Sequence, residues 1–235
     1  MLFFADQSVD VVIKLVRERF FKDAPRAYAD THSVALSLFE SAPPCRVLDI
    51  AAGRGDLTRK LINRGHQVTA LESYTPQFNA PFATLVEGDA NREWPFPDAS
   101  FDALFGIEII EHVENPRFFL REAMRVLRPG GIAIISTPNL TTLVSRVFFG
   151  VTGQWDLFVN NRFRLRDPYD DALDGHISPI PNWLLRHHAR DAGLEHEETA
   201  YSRAWLPLLP WKLNPLPASA SFGRILVARF RKPVA

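Results

Sequence analysis

The chain has 235 residues, enough for one elaborated α/β domain, and with 46% hydrophobic and 23% charged residues it can pack a core and is not a disordered chain. Its 27 basic and 27 acidic residues cancel, so the basic excess of a protein that lives on nucleic acid backbone is missing and no nucleic acid partner is expected. The single cysteine, Cys45, excludes an intrachain disulfide framework; the start, MLFFADQSVD, has no signal-peptide pattern, and no run reaches the roughly 20 apolar residues of a membrane span, so a cytoplasmic protein is expected.

In chain order, residues 8–22 place Val9, Val12, Val16 and Phe20 on one helical face, and a second helix is expected over His32–Phe39, stopped by Pro43-Pro44. Together they make an N-terminal helical cap, residues 1–43. The period then changes. CRVLDI is a short apolar run with β-branched residues, suited to a buried parallel strand. AAGRG leads into DLTRKLINRG, a helix with Asp56 as N-cap and Gly65 as its stop. HQVTALE, FATLVEGD and FDALFGIE read as the second, third and fourth strands. Asn115-Pro116 opens a helix, with Asn as the cap and Pro in the first turn. Phe119, Leu120, Ala123, Met124 and Leu127 form its apolar face. Pro129-Gly130-Gly131 ends it, and IAIIST is a fifth strand.

This strand–helix alternation over 44–138 predicts the α/β class, with a doubly wound, mostly parallel sheet. After Pro138 the pattern breaks. Residues 139–180, rich in aromatics, arginines and the turn-forming DPYDDALDG, read as a lid insertion. PNWLLRHHARDAG is a helix, and LEHEETAYS and RILVARF are closing strands, which brings the sheet to seven and completes a segment running over 181–235. The stretch 205–217 is too rich in proline for regular structure.

The chemistry begins in VLDIAAGRGDL. A strand ends at Asp49 and Ile50, and small residues stand at Ala51, Gly53 and Gly55 just before a helix. Such a βα loop lets backbone approach a ligand closely, at the carboxyl edge where open α/β sheets bind ligands. A dinucleotide fingerprint needs G-x-G-x-x-G. Counted from Gly53 the third glycine falls on Thr58, and counted from Ala51 it falls on Asp56, so the count fails. The pattern is D-x-A-x-G-x-G. Glu72 ends the second strand, 23 positions after Asp49, and its carboxylate can accept from two hydroxyls.

That loop resembles motif I of the class I S-adenosylmethionine-dependent methyltransferases, with Ala51 in place of the first glycine. The run GIEIIEHVENP, followed by RVLRPGGIAIISTPN, is similar to the group around the ubiquinone-biosynthesis O-methyltransferases. The resemblance covers about residues 45–138. It implies a Rossmann-like methyltransferase fold and S-adenosylmethionine as donor, with S-adenosylhomocysteine as product and no metal. It assigns Asp49, Ala51, Gly53, Gly55 and Gly106 to the cofactor pocket, Glu72 to the ribose hydroxyls, Asp89 to the adenine amino group and the Ala90 amide to the ring face.

The acceptor is expected to be a small molecule, aromatic or hydrophobic, methylated on a hydroxyl oxygen, with nitrogen or carbon open. The chain is expected to act as a monomer or homodimer. Because the sulfonium is already activated, the protein's task is alignment and proton removal. His112, just past the fourth strand, is the candidate base, and Glu108 and Glu111 are the neighbours that orient or tune it. His176, in DGHISPIP, is the candidate on the substrate side. His187 and His188, adjacent on a helix, point apart and make no chelating pair. Each assignment has a structural alternative: a tight turn for the glycines, a helix cap for Glu72 or Glu108, a pocket-floor histidine for His112. The rival function is a regulatory protein that binds S-adenosylmethionine without transfer.

Overall fold

Alternation along the strands buries both faces of one sheet. In β1 (Arg46–Ile50), Leu48 and Ile50 join one apolar cluster while Val47 joins the other. In β4 (Phe101–Ile107), Leu104 faces the first cluster and Ala103 and Phe105 the second. A strand with a period of two and two buried faces is the mark of a sheet covered by helices on each side. These relations come from a computed structural model, which describes residues 30–39, 43–156, 158, 175–203 and 216–234. The expected helix over 8–22 and the stretch 204–215 lie outside the described residues, as do 159–174 of the insertion.

The remaining strands are β2 (Gln67–Glu72), β3 (Thr84–Glu87), β5 (Leu127–Pro138), β6 (Glu195–Tyr201) and β7 (Ile225–Arg231). Their order is β3-β2-β1-β4-β5-β7-β6, parallel except that β7 runs antiparallel to both of its neighbours. The predicted seven-stranded, mostly parallel sheet is therefore present. The order reverses between β1 and β4, and the cleft outside the carboxyl ends of strands at such a switch point is where these sheets bind ligands.

One face is covered by α1 (Thr31–Ser37) and α2 (Asp56–Ile62), through Ala35, Leu36, Leu57 and Leu61. The other is covered by α3 (Pro116–Val126) and α5 (Asn182–Asp191), through Phe119, Leu120, Ala123, Leu185 and Ala189. Asn115 caps α3 as expected: its side-chain oxygen accepts from the Phe118 N–H at 3.0 Å, with Pro116 following. The helix α4 (Leu143–Thr152) occupies the start of the insertion, and Phe149 stacks on Trp155 at 4.3 Å. Asp156, in turn, pairs with Arg224 at 2.6 Å and ties this segment to the start of β7.

Two local readings are corrected. The N-cap of α2 is Gly55, not Asp56, because a φ of 78° is needed to turn the loop into the helix and Asp56 is already helical. Leu127 lies in β5, and Pro129-Gly130-Gly131 falls inside that strand instead of before it. The register explains why: Phe101 pairs with Leu127, yet two residues later Ala103 pairs with Ile132. The extra residues bulge out, helped by Gly130 at a φ of 77°.

Candidate active site at the switch point

β1 delivers Asp49 to the switch point, buried and holding the first turn of α2 through a hydrogen bond accepted from the Thr58 hydroxyl at 2.6 Å. Burial pushes its carboxyl up to about 7; the bond from Thr58 works against that shift and the nearby Glu72 charge works with it. A folded-state value above the unfolded 3.8 means a stability contribution that is present below about pH 4 and lost as pH rises through about 7. Asp49→Asn, which stays neutral, should therefore gain on the wild type between pH 5 and pH 8, on the order of a few kcal/mol at most. Urea melts at both values check this, and a pH-independent difference would contradict it.

The loop that follows is built from unusual backbone. Ala51 has a φ of 55°, Gly53 57° and Gly55 78°. The Ala51 and Ala52 amides both donate to the Leu71 carbonyl of β2, which holds Ala51 in a conformation that suits glycine better. The glycines differ in purpose. A Cβ on Gly53 would meet nothing within 4 Å, so this backbone faces open space. A Cβ on Gly55 would sit 2.7 Å from the Ala80 Cβ and 3.1 Å from the Phe78 ring. Gly55→Ala should accordingly cost more than about 1 kcal/mol from φ and collision together, read as a melting point lower by at least ~2 °C. An unchanged melting point would show that the loop can adjust.

Glu72, at the end of β2, reaches across this loop. It is buried, with one carboxylate oxygen accepting from the Gly53 N–H at 2.7 Å and the other from the Tyr74 N–H at 2.9 Å. The Ser73 hydroxyl also donates to this second oxygen, at 3.4 Å; of about four acceptor positions one therefore remains beside the open glycine, and a second opens when the Ser73 hydroxyl turns away. Asp89, after β3, is exposed, and one of its oxygens accepts from the Asn91 amide and side chain at 2.8 and 3.1 Å. The Asn91 side chain accepts in turn from the Glu114 N–H at 2.8 Å. Asn91, absent from the sequence reading, thus couples the Asp89 turn to the segment after β4. Ala90 is buried, with its carbonyl under the Trp94 indole N–H. Gly106 lies in β4, where a Cβ would meet the Phe119 ring at 2.9 Å, so its smallness admits α3 against the sheet.

Past β4 the chain enters a second unusual turn. Glu108 has a φ of 55°, a conformation costing a non-glycine residue about 1–3 kcal/mol, held by its N–H donating to the Ser136 carbonyl and hydroxyl at 3.3 and 3.0 Å. Glu111 is fully buried; its carboxylate has only loose contacts from the Thr137 hydroxyl and its own N–H, and one oxygen of Glu108 has no hydrogen-bond partner among the described residues. Burial raises both carboxyls far above the usual range, and for Glu108 the neighbouring Glu111 adds to the effect.

The segment 175–178 is laced to this turn. Ile177 and Ser178 donate their amides to the Glu111 carbonyl at 2.9 Å each, and the Ser178 hydroxyl donates to Val113 at 2.7 Å. The His112 Nδ1 lies 3.2 Å from the Gly175 carbonyl, and since a carbonyl only accepts, Nδ1 carries the proton. His176 is thereby set edge-on against His112, ring centroids 4.7 Å apart, and faces Phe158 at 5.1 Å. One ligating atom from each of Glu111, His112 and His176 lies within 4.8 Å of the others. His187 and His188 form no such group among the described residues, with rings 6.1 Å apart. Cys45 sits against the His66 ring at 3.4 Å, its thiol pushed up by burial, as an inert core position would be.

A family model described as a methyltransferase domain matches residues 48–135. An S-adenosylmethionine-dependent methyltransferase of Mycolicibacterium smegmatis is 32% identical over 103 residues, 41% of this chain and 39% of that protein. The ubiquinone biosynthesis O-methyltransferase of Rickettsia bellii is 31% identical over 102 residues, 40% of this chain and 42% of that protein. The matched segment thus spans about two fifths of these curated relatives. Among solved structures, a methyltransferase of Thermotoga maritima superposes with a TM-score of 0.62 at 19% identity, covering 95% of this chain and 99% of that one. The Burkholderia thailandensis 1,6-didemethyltoxoflavin-N1-methyltransferase, bound to its substrate and S-adenosylhomocysteine, gives 0.57 at 15% identity, covering 98% and 89%. No helix among the described residues is long and apolar enough to cross a membrane. The sheet order, the glycine loop and the matched segment agree: residues 48–135 are similar to the methyltransferase domain family, and the fold is the one that S-adenosylmethionine-dependent methyltransferases share.

Proposed function

We propose that the protein transfers a methyl group from S-adenosylmethionine to a hydroxyl oxygen of a small-molecule acceptor. The observation that carries the donor half is the buried Glu72 carboxylate, locked to the Gly53 N–H beside backbone that faces open space. Glu72 would hold the ribose hydroxyls, Gly53 and Gly55 would admit the cofactor, Asp89 and Ala90 would take the adenine, and Asp49 would set the loop through Thr58. When bound, the sulfonium supplies an activated methyl carbon, to which the acceptor oxygen bonds as the carbon–sulfur bond breaks and its electron pair stays on sulfur.

The acceptor half falls to the corner formed by Glu108, Glu111, His112 and His176. The Gly175 carbonyl selects the tautomer of His112 whose Nε2 bears the lone pair, the state needed to take a hydroxyl proton. Phe158 and His176 lend this corner an aromatic wall, which supports an aromatic or hydrophobic acceptor.

The test is transfer of isotope-labelled methyl from S-adenosylmethionine across a panel of phenols, aliphatic alcohols and amines, alongside calorimetric binding of S-adenosylhomocysteine. Product from a hydroxyl acceptor is the expected result. Tight binding without transfer to any acceptor would favour a regulatory binding protein.

A further inference from the structure

We propose that Glu111, His112 and His176 bind a divalent transition-metal cation, with Glu108 as a flanking carboxylate, and that this ion receives the acceptor oxygen. The inference deepens the acceptor half of the proposed function and rests on it. It departs from the sequence-based expectation that no metal takes part, because residues 64 positions apart in the chain meet in the fold.

Two independent observations carry it. The first is geometric: one donor atom from each of the three side chains lies within 4.8 Å of the others. A tetrahedral ion with donors at about 2.1 Å sets donor–donor distances of about 3.4 Å, so small rotamer adjustments close the set. The second is the state of Glu111. Its side chain is fully buried, and its carboxylate has only the loose contacts of the Thr137 hydroxyl and its own N–H. Buried carboxylate oxygens so poorly paired are costly, and native folds rarely keep them unless something binds there. A second carboxylate three residues away, Glu108, has one oxygen with no hydrogen-bond partner among the described residues, which sharpens the point. A cation satisfies both at once.

The donors also indicate which cation. Two imidazoles with one or two carboxylates form a borderline set, suited to Mn²⁺, Fe²⁺, Co²⁺ or Zn²⁺ and poorly to Ca²⁺ or Mg²⁺. Three protein ligands leave a position open for an acceptor oxygen. The bond from His112 to the Gly175 carbonyl is the outer contact by which proteins orient a ligating imidazole. With the ion in place, His112 is a ligand, and the acceptor hydroxyl, made more acidic by the ion, gives up its proton to solvent.

The experiment titrates the EDTA-stripped full-length chain with Mn²⁺ and with Zn²⁺ by calorimetry, and separately with S-adenosylhomocysteine. The wild type should bind a single ion. Glu111→Gln and His176→Ala should each weaken that binding by at least about tenfold, while affinity for S-adenosylhomocysteine stays unchanged. His176 is only half-buried, so its variant is readable even where Glu111→Gln disturbs folding. No saturable binding to the wild type, or variants that bind the ion as tightly, would overturn the proposal. Failure to bind S-adenosylhomocysteine would instead overturn the donor assignment, and the metal titration reads independently of it.

Discussion

Glu72→Ala is expected to weaken S-adenosylhomocysteine binding by more than tenfold. The carboxylate does two jobs at one place. It offers acceptor positions toward the open side of the loop, and it fixes that loop through the Gly53 and Tyr74 amides at 2.7 and 2.9 Å. A hydrogen bond to a charged group contributes about 1.5–3 kcal/mol, and roughly 1.4 kcal/mol is a factor of ten in affinity. Losing the pair to ribose alone therefore exceeds tenfold, and a loosened Gly53 adds to it. Glu72→Gln should fall between, since an amide keeps one acceptor oxygen and the shape. Calorimetry of the three proteins decides it: affinity unchanged in Glu72→Ala would refute the ribose assignment.

His112→Ala should leave S-adenosylhomocysteine affinity intact and lower turnover by about 10²-fold or more. The side chain stands at the turn after β4, held by the Gly175 carbonyl and packed on His176. Both roles argued for it, proton acceptor and metal ligand, place it on the acceptor side. The two roles separate with added chelator: a direct base keeps its pH profile in EDTA, whereas a ligand loses activity there. Full activity in His112→Ala would reduce the residue to a structural support of segment 175–178.

The backbone that shapes the proposed donor side was legible in the sequence because it is local. The turn of β1 into α2, the small residues at 51, 53 and 55, and the carboxylate ending β2 are set by strand and helix periods and by which side chains a close approach tolerates. Details that depend on packing were not legible. Nothing in the string says that Ala51 carries a left-handed φ, since it is the Leu71 carbonyl that holds it there. Nor does periodicity tell that Pro129-Gly130-Gly131 bulges inside β5, which follows from the register against β4.

The acceptor side was legible only in part. His112, Glu108 and Glu111 stand in one short run and can be read together. His176 joins them through backbone bonds between 177–178 and Glu111, a contact no local pattern encodes. The complete burial of Glu111 is likewise a tertiary fact. Asn91 was missed because an asparagine after a strand usually signals only a turn, whereas here it bridges Asp89 and Glu114.

The measurement that bears most directly on the donor assignment is a thermal melt of the full chain with S-adenosylhomocysteine and, separately, with NAD. Ligand that binds only the folded state raises the melting point. A clear rise with S-adenosylhomocysteine and none with NAD is the predicted result; stabilisation by NAD alone would contradict the account.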